Sequence, residues 1–190
     1  MDKEFWNIPK PSSQGSNGHR WSVFLWGMVE MYLFRPTPKI MNGWRCFLLR
    51  MFGAKIGKGC NIASSSRFIR TWDIELGNYV TIDDDCWIDG PVTLDDYCSL
   101  SKCVKLISDG HNVRSRSFDY VCDRIVLDAN VFIGADTYVS KGVHIGQFAC
   151  IGSHSFVVKD IPENTIAYGN PCVVHSERIP FEEYKKYRFK

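Results

Sequence analysis

The side chain best suited to chemistry at neutral pH in this 190-residue chain is His111, in the run Ser108-Asp109-Gly110-His111. An imidazole titrates near physiological pH, so a neutral one can take a proton from a hydroxyl that is otherwise a poor nucleophile. Residues 107–124 around it, ISDGHNVRSRSFDYVCDR, break the regular pattern on either side. A long loop leaving a regular scaffold usually carries function, although an exposed loop histidine with no task has the same spacing. The other histidines compete less well: His144 and His154 fall at outward positions of the pattern, His175 lies in the tail and His19 in a polar leader. Eight cysteines could form disulfides, but the start MDKEFWNIPKPSS shows no secretory apolar core or cleavage site. No CxxC pair points to a zinc ribbon, so the cysteines are expected as small buried residues.

The pattern that must position His111 is a six-residue register. It runs Ile56, Ile62, Phe68, skips two residues, then Leu76, Ile82, Ile88, Leu94, Leu100, Leu106, and resumes at Leu127, Ile133, Val139, Ile145, Ile151, Val157. Gly, Ala or Asp often follows the anchor, as in Gly57, Ala63, Asp83, Gly134 and Gly152. Four residues after it stands a small or β-branched residue, such as Cys60, Ser66, Cys86, Cys98, Thr137 or Ala149. Three short strands per coil, with anchors stacked inward, bury one aliphatic column and join coil to coil by backbone ladders. A sandwich of short strands would instead alternate with period two and irregular spacing. Hydrophobic residues at 45%, charged residues at 23% and a net charge of +2 fit one soluble globular domain. They give no electrostatic case for binding nucleic acid.

Residues 56–161 resemble the hexapeptide-repeat acyltransferase superfamily. Phe34-Arg35-Pro36-Thr37-Pro38, Gly43-Trp44-Arg45, Leu48-Leu49-Arg50 and Phe52 through Gly57 are similar to the entry segment of colanic-acid-biosynthesis-type sugar O-acetyltransferases. Val158-Lys159-Asp160-Ile161-Pro162 through Gly169-Asn170-Pro171 is similar to their closing segment. The resemblance implies an all-β fold, a left-handed parallel β-helix with a short helical N-terminal segment and a projecting catalytic loop. It also implies a homotrimer, acetyl-CoA as co-substrate and a small-molecule or glycan acceptor. The expected divisions are a flexible leader 1–20, a helical cap 21–55, the β-helix 56–161 with its loop 107–124, and a tail 162–190.

By the same resemblance His111 is the general base for direct transfer, with backbone N–H groups facing the tetrahedral oxyanion. The family often places Asn, Asp or Glu on an earlier coil, one position after an anchor. Counting back from Leu94 with a two-residue deletion gives Asp83, with Asp85 and Asp89 as close rivals. Ala135 and Ser153 would contact the pantetheine arm, with Phe132 as an aromatic wall where relatives commonly carry Trp. Val158 and Lys159 would surround the adenine and phosphates, Lys159 as a point charge. Relatives often place Arg where this chain has Val173 and Ser176, so His175 or Arg178 is expected to take the 3′-phosphate. No metal is expected: a γ-type carbonic anhydrase on this fold needs three converging histidines, and the spacing of His111, His144 and His154 does not match. The remaining rivals are acetylation of another small acceptor, such as serine or an amino sugar, and a non-catalytic β-helix scaffold.

Residues 21–34, WSVFLWGMVEMYLF, are too few to span a membrane and contain Glu30. Residues 44–52, WRCFLLRMF, are amphipathic with Arg45 and Arg50 expected on the polar side. Both are expected as helices capping the open end of the solenoid. The alternative is membrane-surface contact through residues 21–52, which would suit a lipid-linked glycan acceptor. The expected location is cytoplasmic, with peripheral attachment at the inner membrane under that alternative.

Overall fold

The computed structural model describes residues 20–184; the leader with His19, and residues 185–190, lie outside the described residues. Successive strands turn through three faces of a parallel solenoid. The first face stacks Lys55–Ile56, Ile74–Leu76, Val92–Leu94, Ile125–Leu127 and His144–Ile145. The second stacks Asn61–Ile62, Thr81–Ile82, Ser99–Leu100, Phe132–Ile133 and Cys150–Ile151. The third stacks Arg67–Ile69, Trp87–Asp89, Lys105–Ile107, Tyr138–Ser140 and Phe156–Val157.

The hexad anchors are the stacked column. Ile56 pairs with Leu76, Leu76 with Leu94, Leu94 with Leu127 and Leu127 with Ile145. Ile62, Ile82, Leu100, Ile133 and Ile151 do the same on the second face, and Phe68, Ile88, Leu106, Val139 and Val157 on the third. All are buried except Ile56, which sits half-buried at the open end. Each buried Ile or Leu contributes roughly 1.5–3 kcal/mol of transfer free energy. The small residue four after the anchor is buried beneath each corner, because the chain turns there with no room for a larger side chain. The two-residue skip before Leu76 is a short 3-10 turn, Thr71–Asp73, at the corner from the third face to the first.

Side chains of the N-terminal segment replace the missing coil at the open end. Helix α1, Arg20–Val29, runs into a π turn, Glu30–Phe34, and α2 spans Asn42–Met51. On the first face the Arg50 guanidinium donates to the carbonyls of Ile56 and Gly57, both at 2.9 Å. On the second, Asn42 donates to Cys60 O at 2.7 Å and accepts from Ile62 N at 2.9 Å, while Arg45 Nε donates to Ile62 O at 2.8 Å. On the third, Trp26 Nε1 donates to Phe68 O at 2.6 Å and Glu30 accepts from Phe68 N at 3.3 Å. The expected place of Arg45 on a polar face is therefore corrected: it is 1% exposed. Its charge is satisfied inside the cap by Thr37 Oγ1 and the Pro38 and Lys39 carbonyls.

At the other end the tail does not leave the solenoid at 161. Thr165–Tyr168 adds a further parallel strand to the second face, with Ala167 beside Ile151, and Val173–Glu177 folds back on it antiparallel. Pro162 and the shorter spacing hide this rung from a six-residue count. All eight cysteines are free; Cys46, Cys60, Cys86, Cys98 and Cys172 are buried and the other three partly so. Burial pushes the thiols of Cys86 and Cys98 up to about 12.

Candidate active site

Residues 107–124 leave the corner between the third and first faces and form a hairpin. Asp109–His111 pairs antiparallel with Tyr120–Cys122, and His111 lies opposite Tyr120. His111 Nδ1 lies 2.9 Å from the carbonyl oxygen of Phe118. A carbonyl can only accept, so this contact assigns the proton to Nδ1 and leaves the Nε2 lone pair as the basic site. The ring is stacked on Phe118, with centroids 4.5 Å apart and an 8° interplanar angle, and Tyr120 meets it edge-on at 6.1 Å. The loop thus holds its own histidine by one hydrogen bond and two aromatic contacts.

The hairpin is tied to the solenoid through Arg70. Its guanidinium lies 2.7 Å from Asp89 Oδ1 and 3.8 Å from Asp109 Oδ2, with only 15% of the Arg70 side chain and 13% of the Asp89 side chain exposed. It also donates to Tyr120 Oη at 2.6 Å and Cys122 Sγ at 3.3 Å. Ser108 Oγ donates to the Asp89 carbonyl at 2.6 Å. One cation therefore clamps both strands of the hairpin to strands of two earlier coils. Burial is the largest single influence and works against its charge, but Asp89, Cys122 and Tyr120 together outweigh it and hold the guanidinium protonated. The Asp89 carboxyl is raised, by burial first and by Asp109, with Arg70 pulling it down. Burial pushes the Tyr120 phenol up to about 12, so it stays neutral and serves as a hydrogen-bond partner.

Asp83 lies elsewhere. It follows Thr81–Ile82 at the corner between the second and third faces, where its carboxylate accepts from Asp84 N at 2.9 Å. Beside it is a cavity of about 180 Å³, lined by Lys39, Asn61, Ser64, Thr81, Asp83 and Asp84. Asp85, the next residue but one, is exposed with φ of 59°. Of the three carboxylates, Asp89 is the one a single chain brings to the root of the His111 loop.

The other candidates fall on all three corners. Ala135 and Ser153 stack on the corner of Asp83, where Ala135 O accepts from His154 N at 2.8 Å. Phe132 is on the second face beside that corner, 37% exposed. Val158 and Lys159 follow the third face at the corner of His111, both exposed. Arg178 is at the remaining corner, where Nη1 donates to the carbonyls of Asn130 and Phe148, each at 3.0 Å. That nitrogen is committed to closing the solenoid. His175 stacks on Tyr168 with centroids 3.6 Å apart. Among the described residues no three His, Cys, Asp or Glu side chains gather as a metal site would require. Sequence reasoning missed Arg70, Tyr120 and Cys122; the visible signal was an arginine immediately before the two-residue skip in the register.

Over 184 residues the chain is 33% identical to a protein of Escherichia coli (strain K12) named colanic acid biosynthesis acetyltransferase WcaF, covering 96% of this chain and all of that one. The chain belongs to this family of hexapeptide-repeat acetyltransferases. It is also 29% identical over 170 residues to the galactoside O-acetyltransferase of the same organism, with 84% of each covered. A solved galactoside acetyltransferase in complex with coenzyme A superimposes with a TM-score of 0.71 at 28% identity, covering 94% of this chain and 90% of that one. A hexapeptide-repeat acetyltransferase from Vibrio cholerae has a TM-score of 0.77 at 18% identity, covering 87% and 96%, which is likeness of fold. The fold is the left-handed parallel β-helix of these acetyltransferases. No family model matches the chain.

Proposed function

We propose that this acetyltransferase moves acetyl from acetyl-CoA to a hydroxyl of a sugar, in the synthesis of a surface polysaccharide, without a covalent enzyme intermediate. The observation that carries the reading is the His111 imidazole, held at Nδ1 by a backbone carbonyl. Nε2 takes the proton of the acceptor hydroxyl as the oxygen attacks the thioester carbonyl. The tetrahedral oxyanion collapses, the C–S bond breaks, and the imidazolium returns the proton to the departing thiolate. The names of the relatives, colanic acid biosynthesis and galactoside O-acetylation, support a sugar acceptor over serine or an amino sugar.

The reading places the site between chains of a homotrimer. Asp83, Ala135 and Ser153 share one corner of the solenoid, His111, Val158 and Lys159 another, and the third face lies between them. In a closed ring each chain sets one of these corners against the other corner of its neighbour. The cavity beside Asp83 then receives the sugar, the backbone at Ala135 and Ser153 the pantetheine arm, and Lys159 a phosphate. We place the protein in the cytoplasm.

Mixing inactive chains tests this arrangement. Trimers reassembled from His111→Ala and Asp83→Ala chains contain sites with a His111 from one chain and an Asp83 from the other. Recovered CoA release, from two preparations each without activity, is the expected result. No recovery in verified mixed trimers would mean that His111 and Asp83 do not act across an interface.

A further inference from the structure

Helix α1 is apolar on two opposite sides. One side packs Trp26 into the end of the solenoid; the other leaves Trp21, Phe24, Leu25 and Met28 between 46% and 79% exposed. The surface continues through Met31 and Tyr32, each 62% exposed, and across Ile40, Trp44, Phe47 and Met51. A helix that is apolar all round needs two apolar surroundings, and the solenoid supplies one. Between Val23, Phe24, Met28 and Met31 lies a mainly apolar cavity of about 320 Å³, with Glu30 in its lining and Arg35 and Arg67 at its edge.

Charge decides what covers this surface. The sole carboxylate in residues 20–55 is Glu30, which is buried and accepts from Phe68 N. Arg35, Lys39 and Arg67 are exposed around the patch. A second copy laid face to face would bring these cations together. No helix of the described residues is long and apolar enough to cross a membrane. We propose that the cap docks on the surface of an anionic lipid bilayer. Its Trp, Phe and Met side chains enter the headgroup–acyl boundary, an acyl chain enters the cavity, and the two guanidinium groups at its edge bind lipid phosphate.

Flotation of the full chain with vesicles tests this, and reads no acetyl transfer, so its failure leaves the proposed reaction standing. Vesicles of equal parts phosphatidylcholine and phosphatidylglycerol should carry the protein up the gradient, and salt should weaken the binding. Arg35→Gln/Arg67→Gln should weaken it roughly 30-fold, at about fivefold per cation near the surface. Phe24→Ser/Met31→Ser should abolish it, with circular dichroism and oligomeric state as wild type. No flotation on anionic vesicles overturns the proposal, as does flotation that both folded variants retain. Self-association through the cap without flotation, lost in Phe24→Ser/Met31→Ser, would make a second copy the occupant and also overturn it.

Discussion

Replacing Arg70 by methionine should loosen the His111 hairpin and destabilise the protein in a pH-dependent way. Arg70 is the one cation among Asp89, Asp109, Tyr120 and Cys122 in the contacts described above. Breaking a buried ion pair by removing one partner costs about 3–5 kcal/mol, because a carboxylate is left unpaired out of water. For a chain of this length that is a melting decrease of roughly 6–20 °C, at about 2–4 °C per kcal/mol. The Asp89 carboxyl already stands above its ordinary value of 3.8 through burial and Asp109; without Arg70 only the upward influences remain. The folded variant therefore holds the Asp89 proton where the unfolded chain has released it. Its stability should fall as pH rises from the ordinary carboxylate range through the raised value, and recover toward acid. Thermal unfolding at pH 5 and pH 8, at one fixed protein concentration, reads both effects. Arg70→Met/Asp89→Leu should recover most of the loss. An Arg70→Met protein that melts with wild type at pH 8, or a double variant no better than the single one, would overturn this role for Arg70.

Three further outcomes are expected. Gly134→Ala places a Cβ 2.5 Å from Ser153 N, a backbone atom that cannot swing away, so the coils must part at a cost of about 1–3 kcal/mol. Thermal melts should show this loss, and the KM for acetyl-CoA should rise if that corner receives the pantetheine arm. Glu30→Gln keeps an acceptor for Phe68 N–H but removes a carboxylate whose pKa burial raises above 4.5. Because folded Glu30 holds its proton more tightly than unfolded Glu30, the wild type loses stability as pH rises through the raised value, and the variant should melt higher at pH 8 and lose that dependence. Cys86 and Cys98, pushed up to about 12 by burial, should escape thiol-labelling reagents at pH 8 in the native protein and react after unfolding, as read by mass spectrometry.

The solenoid was legible because its six-residue rule is repeated in each stacked strand from Lys55–Ile56 to Phe156–Val157, and each anchor of the register stacks where the count puts it. The corners were less so. The third residue after the anchor turns left-handed at Tyr79, Asp85, Tyr97, Cys103, Asn130, Asp136, Phe148 and His154, with φ from 55° to 62°. A search for Gly and Asn at turns passes over Tyr, Phe and His there, since stacking of the coils outweighs a local cost of about 1–3 kcal/mol. Arg45 was misread because charge normally marks the wet side of a helix; here it supplies hydrogen bonds that a preceding coil would have made. Arg70 stands beside the register skip, but its partners are 19 to 52 residues away in sequence, so spacing does not reveal them. Of the candidate site, His111 was visible from its interrupting loop. Its orienting carbonyl at Phe118 was not, because hairpin closure, not spacing, brings them together.

If His111 is the base of the acetyl transfer, acceptor-dependent CoA release across a panel of sugars must separate wild type from His111→Ala. Release should fall by about two to four orders of magnitude in the variant, with acetyl-CoA still bound. A variant that releases CoA at the wild-type rate would contradict that role.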